Sequence, residues 1–116
     1  MAIREITVDE LAAAIDAAPA DAPVRLLDVR EVSEYDEGHV PGAQLVVLGT
    51  VPDNVAAFQG SGPTFVICRS GARSMRACEF LATSGSDGLD DLVNIAGGTL
   101  AWMRSGRPIV TGDQPS

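Results

Sequence analysis

The stretch TFVICRSGARS, residues 64–74, is the part of the chain from which the rest of the fold is interpreted. Its first residues are apolar or β-branched, which is typical of a strand buried on both faces. A polar turn that contains Gly71 follows directly, and apolar side chains then recur at helical spacing. The stretch therefore predicts a strand over 64–68, a tight loop and a helix over 72–83, which is the repeating unit of a parallel α/β sheet.

The chain on either side continues this alternation of strand-like and helix-like segments. We predict further strands over residues 4–6, 24–29, 43–48 and 92–95, and further helices over residues 8–18, 31–37, 51–58 and 98–105. At the start of the first helix, Thr7 and Glu10 have the spacing of a capping box. The pattern predicts one α/β domain over residues 1–116, with a mainly parallel central sheet of about five strands, helices on both faces and a flexible tail over about 111–116.

The charge of the chain excludes some partners. Its 116 residues carry a net charge of −8, which would repel a nucleic acid or an anionic membrane. No apolar run approaches the roughly 18 residues of a membrane span, so we expect a cytoplasmic protein. One segment departs from the average: no acidic residue lies between Asp53 and Glu79, whereas Arg69, Arg73 and Arg76 all fall there. This segment is where the sequence predicts that an anion binds.

Cys68 stands where the predicted strand ends and the predicted loop begins. The first turn of a helix has backbone N–H groups without partners and carries partial positive charge, which stabilises a nearby thiolate. Gly71 allows the loop to turn further N–H groups toward the same point. Because the thiolate is the reactive form of cysteine, we predict that Cys68 is a catalytic nucleophile. That role also requires a sulfur atom that solvent can reach.

The second cysteine, Cys78, has a different predicted role. It shares helical spacing with Leu81 and other apolar residues, which favours a side chain packed in the core over a resolving thiol. A disulfide with Cys68 is not expected, because a loop and a helix hold the two residues apart. No metal site is expected either, since His39 is the only histidine and the sequence has no close-spaced cysteine pair.

Five motifs in a fixed order resemble the family of rhodanese-like domains. They are LLDVRE at 26–31, Glu34-Tyr35, GHVPGA at 38–43, CRSGARS at 68–74 and GGTLAW at 97–102. Each motif alone is weak, but their order and spacing between Ile6 and Pro108 make the resemblance specific. The resemblance implies the rhodanese-like fold over nearly the whole chain.

The resemblance also implies a transfer of sulfur in two steps. Cys68 takes the outer sulfur of thiosulfate or a related persulfide donor as a cysteine persulfide, and cyanide or a thiol acceptor then removes it. The implied partners are this small anionic donor, the acceptor and, as a further candidate, a protein that accepts sulfur, whereas no cofactor is implied. The loop residues implied to bind the substrate are Arg69, Ser70, Gly71, Ala72, Arg73 and Ser74.

Within this loop the resemblance gives the two arginines separate roles. Arg73 occupies the position that fixes the loop and faces the bound anion, and Arg69 the variable position that shapes substrate choice. For both, the alternative is a solvated surface charge. Ser74 either donates to the persulfide or caps the helix.

Asp28 and Arg30 are predicted to support the loop. Asp28 ends the strand predicted over 24–29, where a carboxylate is costly unless it is paired, and Arg30 is the candidate partner. His39 is interpreted as a residue that organises a turn and not as a general base, and Trp102 as a core residue with one edge near the site.

Two other functions stay open for this pattern. The first is a non-catalytic or sulfur-carrier module that docks to a protein partner, although the presence of Cys68 and of the whole loop favours catalysis. The second is an arsenate reductase or a phosphatase, whose related loop is one residue longer. Four residues separate Cys68 from Arg73 here, and the shorter loop favours sulfur over a tetrahedral oxyanion.

Overall fold

Five parallel strands form the centre of the molecule in the computed structural model, which describes residues 3–116. The strands are β1 (Arg4–Ile6), β2 (Arg25–Asp28), β3 (Gln44–Leu45), β4 (Thr64–Ile67) and β5 (Leu92–Ile95). Their order in the sheet is β1-β5-β4-β2-β3, and every neighbouring pair is parallel. The predicted α/β class and five-stranded parallel sheet are confirmed, and β4 lies at the centre.

Three α-helices connect these strands, and a fourth follows β5. They are α1 (Val8–Ala17), α2 (Val32–Glu37), α3 (Ala72–Ala82) and α4 (Gly98–Arg104). The predicted capping box is present at the start of α1: the backbone N–H of Glu10 donates to the Thr7 hydroxyl at 3.2 Å, and that of Thr7 donates to the Glu10 carboxylate at 3.1 Å. These two bonds satisfy donors that the first turn of a helix otherwise leaves without partners.

The side chains of β4 alternate between two cores, one on each face of the sheet. Phe65 and Ile67 pack with side chains of α1, α2 and α4, whereas Val66 and Cys68 pack with side chains of α3. A period of two is what the pleat of a strand requires, and burial on both faces explains why Phe65, Val66 and Ile67 are all apolar. The helices therefore cover both faces, as predicted, and Cys68 belongs to the core under α3.

The strand predicted over 43–48 is shorter in the structure. Only Gln44–Leu45 pairs as a strand, although the backbone N–H of Val46 still donates to the carbonyl of Asp28 at 2.8 Å. The segment lies at the edge of the sheet, where only one neighbouring strand is available for pairing. The apolar residues of this segment therefore correctly predicted that it packs against the core, but they predicted a strand that is too long.

The prediction of a single helix over 51–58 is wrong. Two short 3₁₀ helices take its place, at Leu48–Asp53 and Val55–Phe58. Pro52 has no N–H to donate, and the side-chain amide of Asn54 donates to the carbonyl of Thr50 at 2.8 Å, which competes with a continuous helical ladder.

The C-terminal segment, for which the sequence predicts a flexible tail over 111–116, is hydrogen-bonded to the rest of the chain in this structure. The N–H of Gly112 donates to the carbonyl of Asp36 at 2.8 Å, and the N–H of Gly42 donates to the carbonyl of Pro115 at 2.9 Å. These contacts join the segment to α2 and to the turn that follows it. Only backbone groups take part in them, so no pattern of side chains marks them in the sequence.

Candidate active site

Cys68 follows the last residue of β4, at the edge of the sheet where the carboxyl ends of the strands meet. The loop from Cys68 to Gly71 leads directly into α3, and Gly71 precedes the first helical residue with a φ of +111°. This positive φ disfavours any residue with a Cβ, so a glycine is required at that point of the turn. The local sequence thus brings the N-terminus of a helix back onto the cysteine.

The sulfur of Cys68 is surrounded by hydrogen-bond donors. The backbone N–H of Gly71 lies 3.1 Å from Sγ, and the Ser74 hydroxyl oxygen lies 3.2 Å from it. Burial acts to raise the pKa of the thiol, but hydrogen bonds from the Ser74 hydroxyl and from the amides of Ser74, Gly71 and Ser70 outweigh it. The pKa of Cys68 therefore lies below its ordinary value, which favours the thiolate.

The sulfur is not open to solvent in this conformation. Cys68 is only 1% exposed, so the requirement that solvent reach the sulfur is not met by the structure as it stands. The loop residues Arg69, Ser70 and Ala72 are exposed, however, and they form the outer surface of the same turn. Residues of the loop that lie on the surface therefore flank a cysteine that is itself buried.

Arg73 is held by a carboxylate of α2. Its guanidinium donates two bonds to the Glu34 carboxylate, at 2.7 and 2.8 Å, across 39 residues of sequence. The bonds from Arg73 lower the pKa of Glu34 to about 2, against an opposing effect of burial and with the help of the Glu31 N–H. In this structure Arg73 braces the loop against α2, and its guanidinium faces Glu34. No role for Glu34 in the site was predicted, because its partner lies too far along the chain to be identified by spacing.

The N-terminus of α4 supports the loop from behind. The N–H of Thr99 donates to the carbonyl of Cys68 at 2.8 Å, and the N–H of Leu100 donates to that of Arg69 at 3.0 Å. A Cβ at Gly98 would lie 2.5 Å from both of these carbonyl oxygens, closer than any real contact. The glycine in the GGTLAW motif therefore allows the backbone of α4 to approach the loop.

Comparison with known proteins identifies the family to which this loop and fold belong. Residues 7–105 match the model of the rhodanese-like domain. The chain belongs to the rhodanese-like domain family. Its relatives include YtwF of Bacillus subtilis, 35% identical over 108 residues that cover 93% of this chain and 98% of that protein. Another is an Allochromatium vinosum protein named sulfurtransferase, 34% identical over 87 residues that cover 75% of this chain and 78% of that one.

The rhodanese-like fold also has a solved counterpart. The crystal structure of a rhodanese-like domain protein from Staphylococcus aureus gives a TM-score of 0.74 at 34% sequence identity, and it covers 86% of this chain and 91% of that one. The family and fold predicted from the sequence motifs are thereby confirmed.

Asp28 and Arg30 of this rhodanese-like domain form the predicted ion pair. The Arg30 guanidinium donates to both carboxylate oxygens of Asp28 at 2.8–3.1 Å and to the carbonyl of Gly38 at 2.9 Å, and both side chains are buried. Among the described residues, no hydrogen bond joins either of them to residues 68–74. The pair fixes the end of β2 and the turn after α2, and a role in supporting the loop stays a prediction.

Arg69 lines a cleft beside the loop. The cleft has a volume of about 150 Å³ and is also lined by Arg30, Glu34, Glu37, Thr99, Leu100 and Met103. Its walls carry positively and negatively charged side chains, and its volume suits a small molecule better than a segment of polypeptide. Arg69 is exposed there, as is Arg76 on the surface of α3.

Cys78 and His39, both singled out in the sequence, lie outside the loop. Cys78 is fully buried in α3, where burial, with smaller effects of Glu79 and Cys68, raises its pKa to about 12. His39 is fully buried, stacks on Tyr35 with a centroid distance of 3.6 Å, and has its ring nitrogens 2.7 and 2.8 Å from the carbonyl oxygens of Tyr35 and Gln114. It organises the turn and the C-terminal segment, consistent with its interpreted role.

Trp102 lies in the core on the other face of the sheet from Cys68, and a place for it in one wall of the site stays a prediction. Its indole N–H donates to the carbonyl of Pro108 at 2.9 Å.

Sequence reasoning also missed Asn94. It is buried in β5, its Oδ1 lies 2.5 Å from the Ser74 hydroxyl oxygen, and its Nδ2 donates to the carbonyl of Gly71 at 3.1 Å. The available signal was an amide side chain within the apolar strand LVNI, because a buried polar group requires a partner.

Neither a metal-binding cluster nor a membrane-spanning helix is found in the described part of the chain. No three residues among His, Cys, Asp and Glu lie close enough to hold a metal ion within residues 3–116. None of the helices in that range has the length and apolar character needed to cross a membrane.

Proposed function

We propose that this rhodanese-like domain is a sulfurtransferase that carries sulfur on Cys68 as a persulfide. The observation that supports this most is the sulfur atom of Cys68, which lies at the N-terminus of α3 within hydrogen-bond distance of the Gly71 amide and the Ser74 hydroxyl. These groups favour a thiolate, and the thiolate is the nucleophile that attacks sulfane sulfur.

In the first step, the Cys68 thiolate attacks the outer sulfur of thiosulfate or of a related persulfide donor. With thiosulfate, a new S–S bond forms, the bond from that sulfur to the sulfonate sulfur breaks, and sulfite leaves with the electron pair. The donor and the persulfide anion are both negatively charged, so the amides that stabilise the thiolate also suit the product. Arg69 and the other loop residues at 70–74 are the groups proposed to contact the donor.

In the second step, cyanide or a thiolate attacks the outer sulfur of the persulfide. The S–S bond to Cys68 breaks, thiocyanate or a new persulfide leaves, and the Cys68 thiolate is restored with no net oxidation. No cofactor takes part in either step. A thiol acceptor in the cytoplasm, on a small molecule or on a protein, completes the proposed cycle.

The loop suits this chemistry better than phosphoryl or arsenate transfer. Only four residues separate Cys68 from Arg73, and the Arg73 guanidinium is engaged by Glu34. An enzyme that encloses a tetrahedral oxyanion has a related loop that is one residue longer, so the length of this loop favours sulfur. Turnover of a chromogenic phosphate ester by the wild-type protein would contradict the proposal.

The burial of Cys68 favours one rival, a sulfur-carrier module. A cysteine residue that is 1% exposed fits a loop that opens only when a protein partner docks. The rival predicts that free thiosulfate leaves the protein unchanged and that a persulfide on a partner protein loads it. The proposed enzyme is loaded by thiosulfate alone.

The test is to incubate the protein with thiosulfate and to measure its intact mass. We expect a gain of one sulfur atom that disappears when cyanide is added, is absent in Cys68→Ser and persists in the matched variant Cys78→Ser. If no sulfane donor of low molecular weight gives an adduct, the proposed enzyme activity is wrong.

A further inference from the structure

The hydroxyl of Ser74 lies among more acceptors than it can serve. Its oxygen is 3.2 Å from Sγ of Cys68, 2.5 Å from Oδ1 of Asn94 and 3.3 Å from the carbonyl oxygen of Gly71. A serine hydroxyl has one hydrogen, so it donates fully to only one of these three atoms. Which atom receives the hydrogen decides whether Ser74 is a donor or an acceptor toward the sulfur.

The side-chain amide of Asn94 has a fixed orientation. Its Nδ2 lies 2.8 Å from the carboxylate of Glu5 and 3.1 Å from the carbonyl oxygen of Gly71. Both neighbours only accept hydrogen bonds, so the NH₂ group faces them and Oδ1 faces Ser74. Asn94 is also 1% exposed, and the sheet holds it in place on both sides.

Two oxygen atoms at 2.5 Å repel each other unless a hydrogen lies between them. Asn94 Oδ1 has none to offer, so the hydrogen in this contact is that of Ser74. The Ser74 oxygen then presents a lone pair to Cys68, where it accepts a bond from the neutral thiol. When the sulfur loses its proton, the hydroxyl must turn to donate to the thiolate, and Asn94 Oδ1 loses its donor.

We propose that Asn94 is a positioning residue that competes with the Cys68 sulfur for the single hydroxyl hydrogen of Ser74. Asn94 holds Ser74 as an acceptor while the sulfur is a thiol and releases it as a donor when the sulfur is ionised. The use of this exchange in sulfur transfer rests on the proposed function, whereas the exchange itself is a property of the free protein.

The charged and titratable groups near this network lie on several elements. They are Glu5 on β1, which accepts from Asn94, Arg73 at the start of α3, whose pKa is raised chiefly by Glu34 and in smaller part by Cys68, and Cys78 further along α3. None of them bonds to the Ser74 hydroxyl, so the competition between Cys68 and Asn94 is separable from their charges.

The test is the pH dependence of Cys68 alkylation by iodoacetamide in the absence of any sulfur donor, made in a Cys78→Ala background. Asn94→Ala removes the competing acceptor, so the midpoint shifts to lower pH and the rate below the midpoint rises by about threefold to tenfold, the effect of roughly one hydrogen bond. In a Ser74→Ala background the same substitution leaves the profile unchanged within about twofold.

A purely structural role for Asn94 gives another result. If Asn94 only braces Gly71, then Asn94→Ala changes the profile equally with and without the Ser74 hydroxyl, and the proposal is overturned. An unchanged midpoint, or a midpoint shifted to higher pH, also overturns it.

A second variant serves if Asn94→Ala does not fold. Asn94→Asp keeps an acceptor toward Ser74 and adds negative charge, so it shifts the midpoint to higher pH, and a shift to lower pH contradicts the proposal. The failure of thiosulfate to load the wild-type protein would overturn the proposed function and leave this titration valid.

Discussion

Cys68 and Cys78 lie in the same core, and both are almost completely buried, yet their thiols are in opposite electrostatic environments. Burial raises the pKa of Cys78 to about 12, whereas at Cys68 the hydrogen bonds from the loop and from α3 outweigh burial. Cys78 lies within α3, where backbone N–H groups are used by the helix itself, and Cys68 faces the start of α3, where they are free. The pKa values of the two thiols therefore differ because of where each lies relative to the N-terminus of α3, and not because of a difference in exposure.

The largest expected effect is the difference in alkylation rate between the two thiols. A cysteine with a pKa of about 12 is a thiolate in roughly one molecule in 10⁵ at neutral pH, against a few per cent for an ordinary cysteine. We expect iodoacetamide to modify Cys68 at least about a thousandfold faster than Cys78 in the folded protein. Peptide mapping of the alkylated protein measures the ratio, and similar rates would contradict this difference in environment.

Gly98→Ala, a substitution in the helix that supports the loop, is expected to change the alkylation rate of Cys68 and not that of Cys78. In Gly98→Ala the added Cβ would meet the carbonyl oxygens of Cys68 and Arg69 at 2.5 Å, so the loop must shift away from its hydrogen-bonded geometry. We expect the alkylation rate of Cys68 to fall by about tenfold or more, the loss of at least one charge-assisted hydrogen bond.

The matched control for this substitution is Gly106→Ala. Gly106 has a φ of +80°, but nothing lies within 4 Å of the position that a Cβ would occupy, so the variant carries the conformational cost alone, about 1–2 kcal/mol. Equal loss of Cys68 reactivity in the two variants would contradict the role of close approach by α4.

Replacement of Cys78 tests the other side of the comparison. Cys78→Ala removes a buried sulfur from the core and leaves the Cys68 loop intact, so it lowers the free energy of unfolding by about 1 kcal/mol without changing the Cys68 alkylation profile. Denaturant unfolding and alkylation of the same sample measure both effects. A loss of Cys68 reactivity would indicate that Cys78 takes part in the chemistry.

The smallest expected effect concerns the brace between Glu34 and Arg73. The pKa of Glu34 is lowered from 4.5 to about 2, so the pair stabilises the fold fully above about pH 4.5 and this contribution is lost as the pH falls toward 2. Because both side chains are partly exposed, we expect Glu34→Gln to lower the free energy of unfolding by at most about 1 kcal/mol at neutral pH.

The pH dependence distinguishes this pair from a general effect of removing charge. Denaturant unfolding of Glu34→Gln and wild type converges as the pH falls toward 2, whereas Glu37→Gln, in the same helix and without an ion pair in the described structure, matches wild type throughout. A constant difference between Glu34→Gln and wild type at all pH values would contradict the assignment.

Much of the fold followed from local patterns, because strands and helices each have a hydrophobic period. The strand and helix on either side of Cys68, the capping box at Thr7 and the parallel sheet were all predictable in this way. The 3₁₀ segment around Pro52 was not, since its apolar residues suit either kind of helix. The backbone hydrogen bonds of the C-terminal segment to Asp36 and Gly42 were not predictable either, since no side chain takes part in them.

The reactive residues of the site could be predicted from the sequence, whereas the residues that hold the loop in place could not. Cys68 and its loop are contiguous in sequence, so the motif shows them directly. Glu34 and Asn94 reach the loop from 39 and 20 residues away, and only the folded sheet brings them there. The predicted roles of Asp28, Arg30 and Arg69 in binding or support are still predictions, and the motif did not show that Cys68 is buried.

The groups around Cys68 lower the pKa of its thiol and so favour the thiolate, and the proposed sulfur transfer depends on this. The most direct test is to titrate the thiolate by its ultraviolet absorbance in Cys78→Ala, which leaves Cys68 as the single thiol. We expect a midpoint below the ordinary value of about 8.5, which rises to that value when the protein is unfolded in urea. A midpoint at or above the unfolded value in the folded protein would contradict an ionised sulfur.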